Sequence, residues 1–450
     1  MPKTKQSFRR PGAGSVAFEI LLKGIRQGSY ANLALDSALS SSGLSESDGA
    51  LCARLVYGVI ETQVTLDYIL NAYSANPVNT LDDDVRTALR MGLYQLRETD
   101  KIPAHAALNE TVELVPVRKR GYVNAVLRQY LRNPEKSVFP DPVTAPLEAL
   151  SVQTGIPLPL VTRFSDALGF ETASALLSGQ PHAPLTLRVN TLRTSRDDLI
   201  ALLRTNHPDL TFEPTPISPA GILCSGGHPA RLSGFSEGLF FVQDESSQIC
   251  TCAAGLKPGM TVLDVCACPG SKSLAFAIDM ADRGCVVARD LHANKLPLIQ
   301  KSAARLGLSC IRTSPFDAQN TDPDWVRKAD AVLCDVPCSG YGILFKKPEI
   351  RHKDPAAAAD LPALQLRILE ASSAYVRSGG TLVYSTCTLL PEENESVIRA
   401  FLLHHPRFVL QDTSVGPLRI RGMQTLYPHI HHTDGFFFAV MKLEDSTNAI

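Results

Sequence analysis

Apolar residues recur at helical spacing over the first third of the chain. Val16, Ile20, Leu21 and Ile25 fall on one helical stripe, as do Val85, Leu89, Leu93 and Leu96. Strand-like alternation is scarce there, so residues 14 to about 133 are expected to be all-helical. The block closes on VRKRGYVNAVLRQYLRNP, in which Val123, Val126, Leu127 and Leu131 share one face. NPEKSVFPDPVTAP is rich in proline and reads as a linker. LTLRVNTLR, at 185–193, alternates as a strand does, with Arg188 and Arg193 among its polar positions, and SRDDLIALLR reads as a helix opened by Ser195. From about 239 the pattern changes. The short runs TVLDVCA, CVVARD, CIRTSPFD, AVLCDV and TLVYSTC alternate with helical segments, which predicts a mostly parallel sheet wound with helices.

Composition adds limits. The 450 residues exceed one ordinary domain, and 44% hydrophobic content supplies real cores. Lys and Arg number 44 against 45 Asp and Glu, so any basic surface for nucleic acid is local. The candidate is the run holding Arg118, Lys119, Arg120, Arg128 and Arg132, which on charge alone reads as a solvated helix face. No apolar run approaches the length of a membrane helix. The basic start, MPKTKQSFRRPGAGS, is followed by no apolar stretch and reads as a solvated tail, so a cytoplasmic protein with reduced thiols is expected. None of the eleven cysteines forms a CxxC pair, so no zinc site is expected and most read as small buried hydrophobes. His429, His431 and His432 have no metal-ligand spacing and read as loop residues.

In wound parallel sheets, ligands bind beyond the carboxyl ends of the strands. The first such end is VLDVCACPGSKS, a glycine-containing turn that is neither a P-loop nor GxGxxG. Asp290 ends the second strand, placed for ribose hydroxyls, while Asp317 follows the third and Asp335 ends the fourth. The recurring carboxylates point to a nucleoside-bearing ligand across the strand tips. LCDVPCSGYG puts Asp335 and Cys338 together at one tip, and TLVYSTC puts Cys387 at the next. Two thiols and a carboxylate facing such a ligand form a reactive set. PEENESVIRAFL reads as a helix with proline and acids in its first turn.

FVQDESSQ, CACPGSK, DLHANKL, DVPCSGYGILFKKPEIR, YSTCTLLPEENE and DGFFFAVMKL occur in this order. Together, over about 239–443, they resemble the motif series of RNA cytosine-5 methyltransferases dependent on S-adenosylmethionine (AdoMet). The helical first block resembles the NusB-like RNA-binding domain, and the pairing resembles the RsmB-type (Sun) branch, which methylates small-subunit ribosomal RNA. The resemblance implies a NusB-like domain at 10–135, a linker at 136–146, a small α/β RNA-contacting subdomain at 147–238 and a Rossmann-like methyltransferase domain at 239–446. It makes Cys387 the nucleophile toward cytosine C6 and Cys338 the thiol of product release. Asp335 would hold the base and line both pockets, and Lys272 would favour thiolate. Cys266, Ala267, Cys268, Pro269, Gly270, Ser271 and Lys272 would cradle AdoMet, with Asp290 on its ribose and Asp317 near adenine. Cys338 as nucleophile is the chemical rival.

Two departures stand in the cofactor turn, where Cys268 and Ser271 replace smaller residues. If position 271 needs positive φ, serine there costs about 1 kcal/mol or more. Lys346, Lys347 and Arg351 are expected either to hold RNA phosphate or to lie in a solvated loop, and Gly340 and Gly342 to make a flexible loop that admits a flipped base. The implied partner is small-subunit ribosomal RNA, with no membrane, no metal and a monomeric chain. The alternatives are cytosine methylation of transfer or large-subunit RNA, and an RNA-binding assembly factor with a decayed site.

Overall fold

The computed structural model describes residues 12–27, 31–99, 102–179 and 185–445; most of the basic tail lies outside them. The chain divides into two units, one reaching Ser178 and including Lys347–Lys353, the other made of the rest.

The described part of the first unit contains helices and no strand. They are α1 (Ala13–Gln27), α2 (Ala31–Ser42), α3 (Glu46–Glu61), α4 (Gln63–Asn71), α5 (Asp83–Glu98), α6 (Ala104–Glu113), α7 (Val117–Arg132), α8 (Pro146–Thr154), α9 (Leu158–Leu168) and α10 (Phe170–Leu177). Helix α5 has Asp83 and Asp84 in its first turn and Arg97 in its last, matching its dipole, and buries Val85, Leu89 and Leu93. In α7 the stripe Val123, Val126 and Leu127 is buried, but Leu131 is 40% exposed because the last turn runs past the elements that cover the stripe. Between α7 and α8 only a 3-10 turn, Pro134–Lys136, interrupts irregular chain.

Lys347–Lys353 completes this unit from far along the sequence. Arg351, 3% exposed, donates to Glu61 O at 3.2 Å, and His352 Nε2 to Ile60 O at 2.8 Å. Both satisfy carbonyls in the last turn of α3 that no helical N–H reaches. Burial pushes the His352 pKa down, so it stays neutral in this role. Arg351 therefore holds protein backbone, not RNA phosphate.

The second unit begins with β1 (Leu185–Val189), α11 (Arg196–Asn206), β2 (Phe212–Pro214), β3 (Gly221–Cys224) and β4 (Phe240–Val242). They form an antiparallel sheet in the order β2-β3-β1-β4. Ser195 caps α11 by accepting from Asp198 N at 3.1 Å. There follow α12 (Glu245–Ala253), β5 (Thr261–Asp264), α13 (Ser271–Asp279), β6 (Cys285–Asp290), α14 (Leu296–Leu306), β7 (Ile311–Pro315), β8 (Ala329–Asp335), α15 (Leu361–Ser373), β9 (Val376–Thr386), α16 (Glu395–His404), β10 (Phe408–Leu410), β11 (Asp412–Val415), β12 (Leu418–Arg421), β13 (Met423–Leu426) and β14 (Phe436–Leu443). Arg188 of β1 is buried where alternation predicts a polar face. Its guanidinium reaches Asp279 at 2.6 Å and Thr251 at 2.7 Å, so the strand is covered on both faces.

Strands β9-β8-β5-β6-β7 run parallel in that spatial order, and β14 joins β9 antiparallel. The chain moves outward from β5 to β7, then returns to place β8 on the other side of β5. A crevice opens at that reversal. Both faces are covered. Val262, Ala331 and Val383 pack with Ile249 and Ala275, while Leu263, Val332 and Leu382 pack with Ile368 and Phe401. Continuous apolar strands result.

Two contacts fix the loop after β8. Gly342 N donates to Cys387 O, and Gly435 N donates to Gly342 O, both at 2.9 Å. A Cβ at Gly342 would lie 1.9 Å from Gly435 O. Glycine is there for close backbone approach rather than for flexibility; Gly340 supplies the left-handed turn, with φ +79°. Lys346 closes the loop by bridging Asp244 at 2.6 Å and Asp434 at 2.9 Å. It is a clamp, not a free phosphate ligand. Burial opposes charge on Asp244, yet Lys346 and hydrogen bonds from Ser246 hold its pKa below normal. Burial, then Asp244, pushes Asp434 up to about 7.

Gly342→Ala should force the Gly435 carbonyl aside and lower the melting temperature in scanning calorimetry; an unchanged melting temperature would show that the loop yields. In the unfolded chain Asp434 loses its proton near 3.8, and in the folded chain near 7. The folded state binds the extra proton between these values, so stability falls as pH rises through that window and is level above it. Asp434→Asn should remove this slope. Its melting temperature relative to the parent should rise from pH 4 to 7 in scanning calorimetry and then plateau.

Candidate active site

The turn after β5 is held by its neighbour strand. Ala267 N donates to Arg289 O at 2.7 Å, and Cys268 N to Asp290 Oδ2 at 3.1 Å. Gly270 takes the left-handed conformation, φ +107°, and Ser271 starts α13 with ordinary helical backbone. The strain expected at Ser271 is absent because the glycine before it absorbs the turn. The second Asp290 oxygen accepts from His292 N at 3.0 Å. A carboxylate has roughly four acceptor positions, so Asp290 keeps room for ribose hydroxyls. Phe316 N donates to Asp290 O at 3.0 Å, which brings the segment with Asp317 alongside; Asp317 Oδ1 accepts from Gln319 N at 3.0 Å.

Asp264, at the tip of β5, was not singled out from the sequence. Burial pushes its carboxyl up to about 7, against a hydrogen bond from Ser273 Oγ at 2.6 Å and with help from Asp335. Its Oδ1 is buried without a partner, which suits a ligand that brings a nitrogen donor to this turn. Together with the free lone pairs of Asp290, this fits a nucleoside-bearing cofactor with an ammonium group.

Across the crevice, Lys272 Nζ meets Asp335 Oδ2 at 2.7 Å, and Ser385 Oγ of β9 donates to Asp335 Oδ1 at 2.7 Å. Lys272 also lies 5.1 Å over the Phe436 ring. Burial works against the Lys272 charge, but Asp335 outweighs it and the pKa is raised. The lysine stays charged and Asp335 is held in one orientation.

The two thiols meet. Cys338 Sγ and Cys387 Sγ are 3.3 Å apart. The hydrogen bond to Cys387, then burial, pushes the Cys338 pKa well above the usual thiol value. Cys250, Cys268 and Cys334 are pushed up to about 12, each mainly by burial, and Cys266 is raised well above normal. Five of the eleven cysteines are buried and six are partly exposed, all free. The exposed share exceeds the expectation because several sit at strand ends instead of in cores.

PEENESVIRAFL is helical only from Glu395, where α16 begins; Pro391–Asn394 is a turn in which Glu393 and Asn394 have no exposed surface. No group of three or more His, Cys, Asp or Glu suited to a metal occurs among the described residues. In the basic run, Lys119 is paired with Asp82 and Asp84, while Arg118, Arg128 and Arg132 are exposed.

Three family models match in chain order: the NusB family over residues 13–132, the ferredoxin-like domain of RsmF/B-type methyltransferases over 156–230, and 16S rRNA methyltransferase RsmB/F over 253–442. The probable ribosomal RNA small subunit methyltransferase B of Bacillus subtilis is 35% identical, covering 97% of this chain and 99% of its own. Ribosomal RNA small subunit methyltransferase B of Cronobacter sakazakii is 33% identical, over 88% of this chain and 91% of its own. The crystal structure of PH0851 superimposes with a TM-score of 0.79 at 25% identity, covering 97% of this chain and 100% of that one. An all-helical domain, a small α/β domain and a mostly parallel methyltransferase sheet thus follow one another in a chain that belongs to the ribosomal RNA small subunit methyltransferase B family.

Proposed function

We propose that this chain transfers a methyl group from AdoMet to C5 of cytosine in small-subunit ribosomal RNA, through a covalent Cys387 adduct. The observation that carries the reading is the thiol pair, 3.3 Å apart, beside a carboxylate locked by Lys272. AdoMet, bound by Cys266 to Lys272 with Asp290 on its ribose, Asp317 near adenine and Asp335 between the pockets, supplies the methyl group. As the resemblance implies, residues 10–135 and 147–238 serve RNA, 136–146 link them, and 239–446 serve catalysis.

C5 of cytosine is a weak nucleophile. Attack of the Cys387 thiolate on C6 turns the ring into an enamine whose C5 accepts methyl. Lys272, fixed as a cation near this thiol, favours the thiolate. Asp335 holds the N3 edge of the base. Once Cys387 sulfur is a thioether, Cys338 gives its proton to solvent and accepts the proton of C5. The C6–S bond then breaks, its electron pair returns to Cys387 sulfur, and the 5,6 double bond re-forms. The original pair is restored, with the proton on Cys338.

The target base must be unstacked to reach these groups, so a loop or junction nucleotide is the natural substrate. Arg118, Arg128 and Arg132 are the cations left for RNA phosphate on α7. As the resemblance implies, the chain is proposed to act as a cytoplasmic monomer. No helix among the described residues is long and apolar enough to cross a membrane.

With labelled AdoMet and small-subunit ribosomal RNA, Cys387→Ala should form no adduct that resists denaturing gels, and Cys338→Ala should accumulate one; the reverse pattern assigns attack to Cys338. Asp335→Asn should lower kcat by about 10²-fold or more, as for loss of a group that handles the reacting ring. Bisulfite sequencing of RNA from a deletion strain should show one or more cytosines losing protection in small-subunit ribosomal RNA. Loss confined to transfer or large-subunit RNA would overturn the substrate.

A further inference from the structure

The buried turn before α16 grips the chain on both sides of both thiols. Glu393 Oε2 accepts from Ser339 N at 2.9 Å and from Gln365 Nε2 at 2.8 Å. Gln365 Nε2 also donates to Pro337 O at 3.0 Å. Pro337 and Ser339 flank Cys338. Asn394 does the same for Cys387: its Oδ1 accepts from Thr386 Oγ1 at 2.6 Å, and its Nδ2 donates to Thr388 O at 3.0 Å. Ser339 Oγ and Thr388 Oγ1, 2.8 Å apart, join the two loops directly, and Tyr384 OH donates to Glu393 O at 2.6 Å. Glu393, Asn394, Gln365 and Thr388 have no exposed surface.

A carboxylate without exposed surface is costly unless its donors are worth more than its hydration. Here the donors are a backbone N–H beside one thiol and an amide that reaches the other side of the same thiol. Glu393 Oε1 has no partner, so stability alone does not account for an acid at this position. What the frame determines is the separation of two sulfurs carried by separate loops.

We propose that Glu393 and Asn394 are positioning residues that set the reach between Cys338 and Cys387, and through it the rate of product release. This rests on the cysteine roles proposed above. Release requires Cys338 to meet the C5 proton of a base tethered to Cys387. A displacement of about 1 Å in such a geometry costs about 10²-fold in rate. Loosening the frame should therefore leave the first half of the reaction largely in place and stall the second.

The test compares the parent, Cys338→Ala, Glu393→Ala and Glu393→Gln. Glu393→Ala should accumulate the covalent RNA adduct as Cys338→Ala does. Its steady-state turnover should fall at least about 10-fold, with KM for RNA within about 2-fold. Glu393→Gln keeps an acceptor oxygen for Ser339 N–H and should recover most turnover. Dibromobimane, which bridges only close thiols, should link Cys338 to Cys387 in the parent and in Glu393→Gln, and not in Glu393→Ala, as read by peptide mass spectrometry. Calorimetric AdoMet binding checks folding. If Glu393→Ala fails to bind, Thr388→Val replaces it, removing the bond between the loops, with the same outcomes expected. Parent-like turnover and bridging in the folded variant would overturn the proposal. Bridging lost in that variant, with no adduct trapped by Cys338→Ala, would place the error in the cysteine roles and leave the positioning intact.

Discussion

A lysine and an aspartate, brought out of water at the reversal of the parallel sheet, constrain the groups around them. Lys272 comes from the first turn of α13 and Asp335 from the tip of β8, and their 2.7 Å contact ties the cofactor turn to the strand that leads into the Cys338 loop. Ser385 extends the tie to β9, two residues before Cys387. Removing one partner of a fully buried pair costs about 3–5 kcal/mol, because the other charge is left unpaired; here Asp335 keeps 29% of its side chain exposed, so the cost is smaller. The pair thus links the turn after β5, the tip of β8 and the Cys387 loop in one electrostatic unit, and the orientation of Asp335 is settled by protein groups alone.

The loops beyond the strands are fixed by a different means. Gly342 and Gly435 lie backbone to backbone, Lys346 bridges Asp244 and Asp434, and the 393–394 turn frames both thiols. These contacts use backbone groups and buried charges, which have few alternative partners once water is excluded. A site of this kind is stiff in its walls.

Much of this was legible in the sequence, and the reason is geometric. Parallel strands covered on both faces read as apolar runs, and whatever ends each run lies on one side of the sheet. Asp290, Asp335, Cys338 and Cys387 could therefore be placed together from order alone. What stayed hidden is what charge and glycine do not reveal about their partners. Lys346 and Arg351 looked like phosphate ligands, but one is spanned by two carboxylates and the other bonds a helix-end carbonyl. Glu393 looked like a helix-dipole acid because proline and acids commonly open helices; the helix starts two residues later. Gly342 looked flexible, and only the position of Gly435 shows that it is a contact point. Ser271 looked strained, and the register of the turn moves the left-handed residue to Gly270.

The segment Lys347–Lys353 bears on the order in which the chain can fold. The helices of the first unit are complete by Leu177, but the residues that satisfy Ile60 O and Glu61 O arrive only with Arg351 and His352. The last piece of that unit is thus synthesised 347 − 178 = 169 residues after the rest. At roughly 5–20 residues per second, the helices wait on the order of ten seconds or more on the ribosome with the end of α3 unfinished. The N-terminal helices are therefore an incomplete folding unit on their own, and a fragment cut after α10 would lack part of its own structure.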